Sequence, residues 1–218
     1  MSARVPAPGP ATLLVLAKEP TPGRVKTRLT PPYTPREAAA LAEAALADTL
    51  HTVSRTPARR RVLVLDGRPG PWLPPGFDVL PQVTGGLDDR IAAAFADCDR
   101  GPAVLVGMDT PQLTADLLAE VGGDEHDAWF GPAADGGFWA LGFADPARAP
   151  ALVRGVPMST DRTGEIQRRR LVAAELTVCD LPVLRDVDTA ADVAPVAACC
   201  PPGSRFAATV TLLAGVAR

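Results

Sequence analysis

The sequence predicts a three-layer α/β fold with a mainly parallel sheet. Strand-like apolar runs alternate with helix-period segments along the chain. The runs at Thr12–Leu16, Arg61–Asp66 and Ala103–Val106 are continuous rather than alternating, the pattern of strands buried on both faces. An Asp-Gly turn between two short aromatic runs adds a small β-hairpin region.

The elements follow in order. Met1–Pro10 is Pro-rich with no apolar core, and reads as a flexible terminus rather than a signal peptide. Residues 11–218 read as a single domain. After the first strand comes a turn-rich basic loop, then a helix entered at Thr34. There Pro35 suits the first helical position and Glu37 completes a capping box, with the helix continuing to Leu50. The Pro/Gly-rich stretch from Gly67 to Gly76 is loop, and Asp78–Leu80 a short strand. Gly85-Gly86 opens a helix over Leu87–Cys98. The strand at Ala103 ends at Gly107-Met108-Asp109, and a short helix follows from Ala115. Ala128–Phe130 and Phe138–Leu141 are the hairpin strands. Glu165–Leu176 is helical, Val178–Asp186 extended, Thr189 with Asp192 opens another helix, and Phe206–Val216 forms a last one.

The chain has 218 residues, 47% of them hydrophobic, and a formal charge of −3. No global field favours nucleic acid, and 5% aromatic content offers few platforms for stacking bases. Cys98, Cys179, Cys199 and Cys200 form no CxxC pair or His-bearing metal spacing, so reduced thiols in a cytoplasmic protein are expected. No window approaches the roughly 18 apolar residues of a membrane helix. His51 and His126 have no triad-like neighbours and read as surface residues.

Five constellations can carry chemistry. The loop after the first strand holds Lys18, Arg24, Lys26 and Arg28. At a strand's carboxyl edge such a loop suits a phosphate cradle. If 24–28 is extended, its three cations share a side, and Gly23 lets backbone amides approach. GxxxxGK is absent, so this is no Walker loop. Asp109, pinned by Gly107 and Pro111, stands at a strand's end, where a carboxylate can hold Mg²⁺ (or Mn²⁺) against phosphates; it can equally cap a helix. Asp186 and Asp188, at i and i+2 in extended chain, form a divalent-ion pair or a helix cap. Asp135-Gly136-Gly137 is a plain turn or a ligand-facing one. Gln82 before Gly85-Gly86 is placed to read a base edge.

Taken in order, A-K-x-P-x-P-G-x-x-K-T-R-L, Q-x-x-G-x-L-x-x-R, G-x-D-x-P-x-L, D-G-G-aromatic, S-T-x-x-T and D-V-D-T resemble the bacterial glycosyltransferase-like family of the nucleotide-diphospho-sugar transferase superfamily. The chain is more distantly similar to 2-phospho-L-lactate guanylyltransferase and the molybdenum-cofactor guanylyltransferases. The resemblance spans about Thr12 to Asp192 and leaves out the tail after Ala194. It implies a Rossmann-like GT-A fold. By the same resemblance Lys18, Gly23, Arg24, Lys26 and Arg28 are the phosphate loop, and Gln82, Gly85 and Gly86 the base side. Asp109 with Asp186 and Asp188 would hold the metal. Asp135, Gly136, Gly137, Ser159 and Thr160 would face the acceptor. Lys26, Arg28 and Asp109 are the catalytic candidates. Met158 stands where an aromatic commonly precedes the Ser-Thr pair.

The expectation is a Mg²⁺-dependent transferase with a nucleotide donor and a small-molecule acceptor, without nucleic acid or membrane. Two transfers fit: NMP from an NTP to a small phosphorylated or acidic acceptor, or a sugar from an NDP-sugar. The cation count of the loop favours the triphosphate. A non-catalytic nucleotide-binding protein is a third reading.

Overall fold

The computed structural model describes residues 10–119, 121–123 and 125–216; residues 1–9 of the expected flexible terminus lie outside them. Seven strands form one sheet: β1 (Thr12–Lys18), β2 (Arg60–Asp66), β3 (Asp78–Pro81), β4 (Ala103–Gly107), β5 (Ala128–Pro132), β6 (Phe138–Phe143) and β7 (Val178–Asp180). Their order is β3-β2-β1-β4-β6-β5-β7. Only the pairings of β6, with β4 and β5, are antiparallel; β1 pairs in parallel with β2 and β4, β2 with β3, and β5 with β7. The predicted mainly parallel sheet with a hairpin is thus the observed one.

Strand burial follows from the pleat. Leu13, Val15 and Ala17 of β1 enter one core cluster with Leu63, Leu65, Val104 and Val106. Leu14 joins Val62, Val64 and Leu105 in a second, on the other face. Successive side chains alternate between faces, so a strand covered on both sides must be apolar at every position.

Helix α1 (Pro35–Arg55) covers the first face. Its capping box is formed as expected: Thr34 Oγ1 accepts from the Glu37 amide at 3.3 Å, and Glu37 accepts from the Thr34 amide at 2.7 Å. The helix runs past Leu50 to Arg55, and Val53 is buried in the core. Helices α2 (Leu87–Ala96), α4 (Ala149–Val153) and α5 (Thr163–Ala173) bear on the second face, while α3 (Ala115–Ala119) lies on the first. Two further helices, α6 (Ala190–Cys199) and α7 (Arg205–Val216), close a third cluster over the outer side of α1, with Leu41, Ala45, Val193, Val196 and Phe206 buried there. No helix among the described residues is long and apolar enough to cross a membrane.

Neighbouring β1 and β4 are parallel, but the chain leaves them in opposite lateral directions. Their carboxyl ends therefore open a crevice, the switch point at which α/β sheets take ligands.

Candidate functional site

A cleft of about 680 Å³ occupies this switch point. The basic loop forms one wall: Lys18, Arg24, Lys26 and Arg28 all line it. The expected extended run 24–28 is not formed. Lys26 is left-handed (φ 49°, ψ 41°) and Thr27–Leu29 is a single 3₁₀ turn. Val25 enters the core beside β1, and Leu29 the cluster on the outer side of α1. The chain turns tightly to reach both, and the cations stay on the cleft side. Gly23 is not on the cleft wall; its positive φ of 77° makes the preceding turn, with open space around it.

The opposite floor carries carboxylates. Asp109, at the end of β4, receives Lys26 Nζ at 2.9 Å, with the Lys26 side chain only 9% exposed. Its other oxygen is buried and, like the hydroxyl of Thr110, has no hydrogen-bond partner among the described residues. Asp186 and Asp188 both line the cleft while Val187 between them is buried, the i, i+2 arrangement of extended chain. The Val187 amide donates to the Asp109 carbonyl at 2.9 Å, and the Gln112 side chain donates to the Arg185 carbonyl at 2.6 Å. These two bonds fix the segment against the β4–α3 turn. Helix α6 is capped by Thr189 with Asp192, which leaves Asp186 and Asp188 free of capping. Asp188 pairs with Arg28 at 2.5 Å. Burial first, then the neighbouring Asp135 charge, pushes the Asp186 carboxyl up to about 6.

The third wall comes from Asp135, Gly137, Ser159 and Thr160. Gly136 is not part of it. A Cβ there would lie 2.0 Å from the Asp161 carbonyl oxygen, so that glycine seats the 158–161 segment on the hairpin turn. Met158 also lines the cleft and bears on the second core.

The base side differs from expectation. Gln82 lines the cleft, but its amide nitrogen donates to the Ala17 and Val64 carbonyls at 2.8 and 3.1 Å. Both donors strap β1 to β2, which leaves only the side-chain oxygen, beside its Arg90 contact, to face a ligand. Gly85 and Gly86 stand off the cleft wall; Cβ atoms there would meet the Asp89 and Asp88 carboxylates of their own helix turn. Arg90, unassigned by the sequence reading, does line the cleft. It donates to the Gln82 side-chain oxygen at 3.2 Å and lies 3.5 Å from Asp66. Its signal was helical spacing: Leu87, Arg90 and Ile91, at i, i+3 and i+4, all reach the cleft.

Among the described residues no three His, Cys, Asp or Glu side chains form a ready-made metal cluster. Asp109, Asp186 and Asp188 nonetheless fit a hard cation. They are oxygen donors around one cleft, one Asp109 oxygen has no partner among the described residues, and burial together with the Asp135 charge raises the Asp186 carboxyl. A Mg²⁺ ion usually takes one or two carboxylates and completes its shell with water and substrate phosphates.

A family model described as "Uncharacterized protein conserved in bacteria (DUF2064)" matches residues 38–160. That span holds Gln82, Asp109, Asp135, Ser159 and Thr160 but neither the basic loop nor Asp186 and Asp188. No curated protein matches the sequence. Among solved structures, a protein provisionally named a nucleotide-diphospho-sugar transferase, from Desulfovibrio desulfuricans G20, is 27% identical. The match covers 83% of each chain with a TM-score of 0.75. A nucleotidyl transferase from Methanothermobacter thermautotroptrophicus is 11% identical over 86% of this chain and 95% of its own, TM-score 0.60. The CMP:2-keto-3-deoxy-manno-octonic acid synthetase complexed with CTP is 9% identical over 86% and 97%, TM-score 0.53. At the last two identities the likeness is one of fold. The fold is thus that of the nucleotide-diphospho-sugar transferases, as the motif order implied.

Proposed function

We propose that this chain, which belongs to the bacterial DUF2064 family, is a transferase with a nucleotide donor, and that it moves a nucleoside monophosphate from an NTP with release of pyrophosphate. One observation carries the reading. The cations of the 18–28 loop face Asp109 and the Asp186/Asp188 pair across a cleft at the β1–β4 switch point. The nucleotidyl transferase and the CTP-bound synthetase of like fold support it.

Lys18, Arg24, Lys26 and Arg28 hold the phosphates, Arg by paired hydrogen bonds and Lys as a mobile charge. Asp109, Asp186 and Asp188 would hold Mg²⁺ or Mn²⁺, which on binding supplies charge neutralisation at the phosphates. Val25 and Leu29 anchor the backbone of the loop that carries Lys26 and Arg28, which keeps both cations on the cleft side where charge builds on the leaving pyrophosphate. Positioning and electrostatics supply the rate, and no side chain is needed as covalent nucleophile.

Incubation with each NTP, Mg²⁺ and a panel of acceptors releases pyrophosphate on this reading. Asp109→Ala reduces the rate by about a hundredfold or more. The relative's provisional name favours a second reading, glycosyl transfer from an NDP-sugar. Tight NDP-sugar binding, with sugar transfer and no pyrophosphate from any NTP, would establish it in place of the first.

A further inference from the structure

The carboxylates assigned to the metal come from two separate stretches of chain. Asp109 follows β4, while Asp186 and Asp188 lie in the segment between β7 and α6. That segment is tied at both ends. Before Arg185, the Trp139 indole donates to the Pro182 carbonyl at 2.9 Å and the Ala134 amide to the Leu184 carbonyl at 2.8 Å. After Asp188, the Thr189–Asp192 capping box begins α6. In between, two bonds join the segment to the β4–α3 turn. One is main-chain, from the Val187 amide to the Asp109 carbonyl at 2.9 Å. The other comes from a side chain, Gln112 Nε2 to the Arg185 carbonyl at 2.6 Å.

Gln112 is 7% exposed and does not line the cleft, so it touches no ligand there. A carbonyl only accepts, so the Gln112 amide must turn its nitrogen to Arg185 and its oxygen away. That oxygen is buried and has no partner among the described residues. A buried amide oxygen left unmet is destabilising, and an apolar side chain of like length fills the same space without it. In stability, the bond made and the oxygen unmet work against each other. What an apolar residue cannot supply is a directional donor to the backbone one residue before Asp186.

We infer that Gln112 is a positioning residue for the metal-holding carboxylates: its amide fixes the backbone at Arg185 and so sets how far Asp186 and Asp188 stand from Asp109. Side chains two apart in extended chain share a side, so a shift at Arg185 moves both carboxylates together. The Val187 bond by itself leaves the segment able to pivot about one point. A hard cation held by few carboxylates then loses a well-placed donor. Outer partners that orient metal ligands typically account for about 10–100-fold in metal affinity. The inference rests on the metal-holding role given to Asp109, Asp186 and Asp188, and it is the same for nucleotidyl and glycosyl transfer.

The test titrates the nucleotide-free full chain with Mn²⁺, read by paramagnetic resonance and referred to folded protein. Gln112→Met keeps the length and removes the amide; Gln112→Asn keeps the amide one methylene short of Arg185, and decides the matter if the first variant does not fold. Both are expected to bind Mn²⁺ about tenfold or more weakly. Metal-free pyrophosphate affinity, which reads the basic loop, holds, and the melting temperature of Gln112→Met shifts little. Unchanged Mn²⁺ affinity in the folded variants overturns the inference, whatever happens to stability, because a strap that serves only the fold predicts that result. Loss of pyrophosphate binding alongside Mn²⁺ overturns it too, since the whole cleft has then been disturbed. A wild-type chain that binds no Mn²⁺ removes the metal itself and this role with it, which separates that failure from a wild-type chain that binds Mn²⁺ no better than its variants.

Discussion

Asp186 sits in an environment that works against its charge. Burial and Asp135 raise its carboxyl from 3.8 to about 6. A raised acid favours the folded state fully below pH 3.8, and that contribution is lost as pH rises through 6. Above pH 6 the ionised carboxylate is a cost, screened because the group is partly open to solvent. Asp186→Asn in the metal-free protein is therefore expected to raise stability by on the order of 1 kcal/mol at pH 8. The gain shrinks to nothing near pH 4. Thermal melts across that range check it, and a gain that grows as pH falls contradicts it. Single residues also mark where sequence reading succeeds and fails. The loop cations were legible because charge beside an apolar strand is a local signal. The strap that Gln82 makes was not legible because its bonds run to residues 65 and 18 positions away. A glutamine that straps two strands is written in the same letter as one that reads a base.

At the scale of elements, the capping boxes of α1 and α6 were legible because both partners lie within three residues. The docking of α7 was not. Asp48, buried in α1, accepts from the Ser204 hydroxyl at 2.7 Å and from the Arg205 and Phe206 amides at 2.9 Å each. It thereby caps a helix some 156 positions away in the chain. Nothing in the sequence near Asp48 announces this. Losing it orphans three donors, each costing about 1–3 kcal/mol when buried, of which partial solvent access recovers a share. Asp48→Ala is expected to lower unfolding free energy by about 3 kcal/mol, measured by urea denaturation. Its nucleotide affinity stays unchanged, because Asp48 does not line the cleft. An affinity that drops with stability would mean that α7 supports the site. The 24–28 loop failed as an extended segment for a related reason. Its path is set by where Val25 and Leu29 must be buried, in two separate clusters.

For the whole molecule, strand alternation predicted the layers and the hairpin, but not the lateral order of the strands. That order places Asp109 and the Asp186/Asp188 pair opposite the basic loop, and it depends on crossovers that no local pattern encodes. The formal charge of −3 averages over a cleft whose two halves have opposite sign. In the resting structure these halves hold one another. Lys26→Met is therefore expected to free Asp109, so that Mn²⁺ binds the nucleotide-free protein at least about threefold more tightly while pyrophosphate binds about tenfold more weakly. Paramagnetic resonance of Mn²⁺ and calorimetry read the two effects, and weaker Mn²⁺ binding in the variant counts against the pairing. The two bridges differ in depth. Arg28 is 70% exposed and Lys26 only 9%, so water and salt loosen the outer bridge far more readily than the inner one. A polyphosphate arriving from solvent is therefore expected to displace the Arg28 bridge at the rim before the Lys26–Asp109 bridge at the floor.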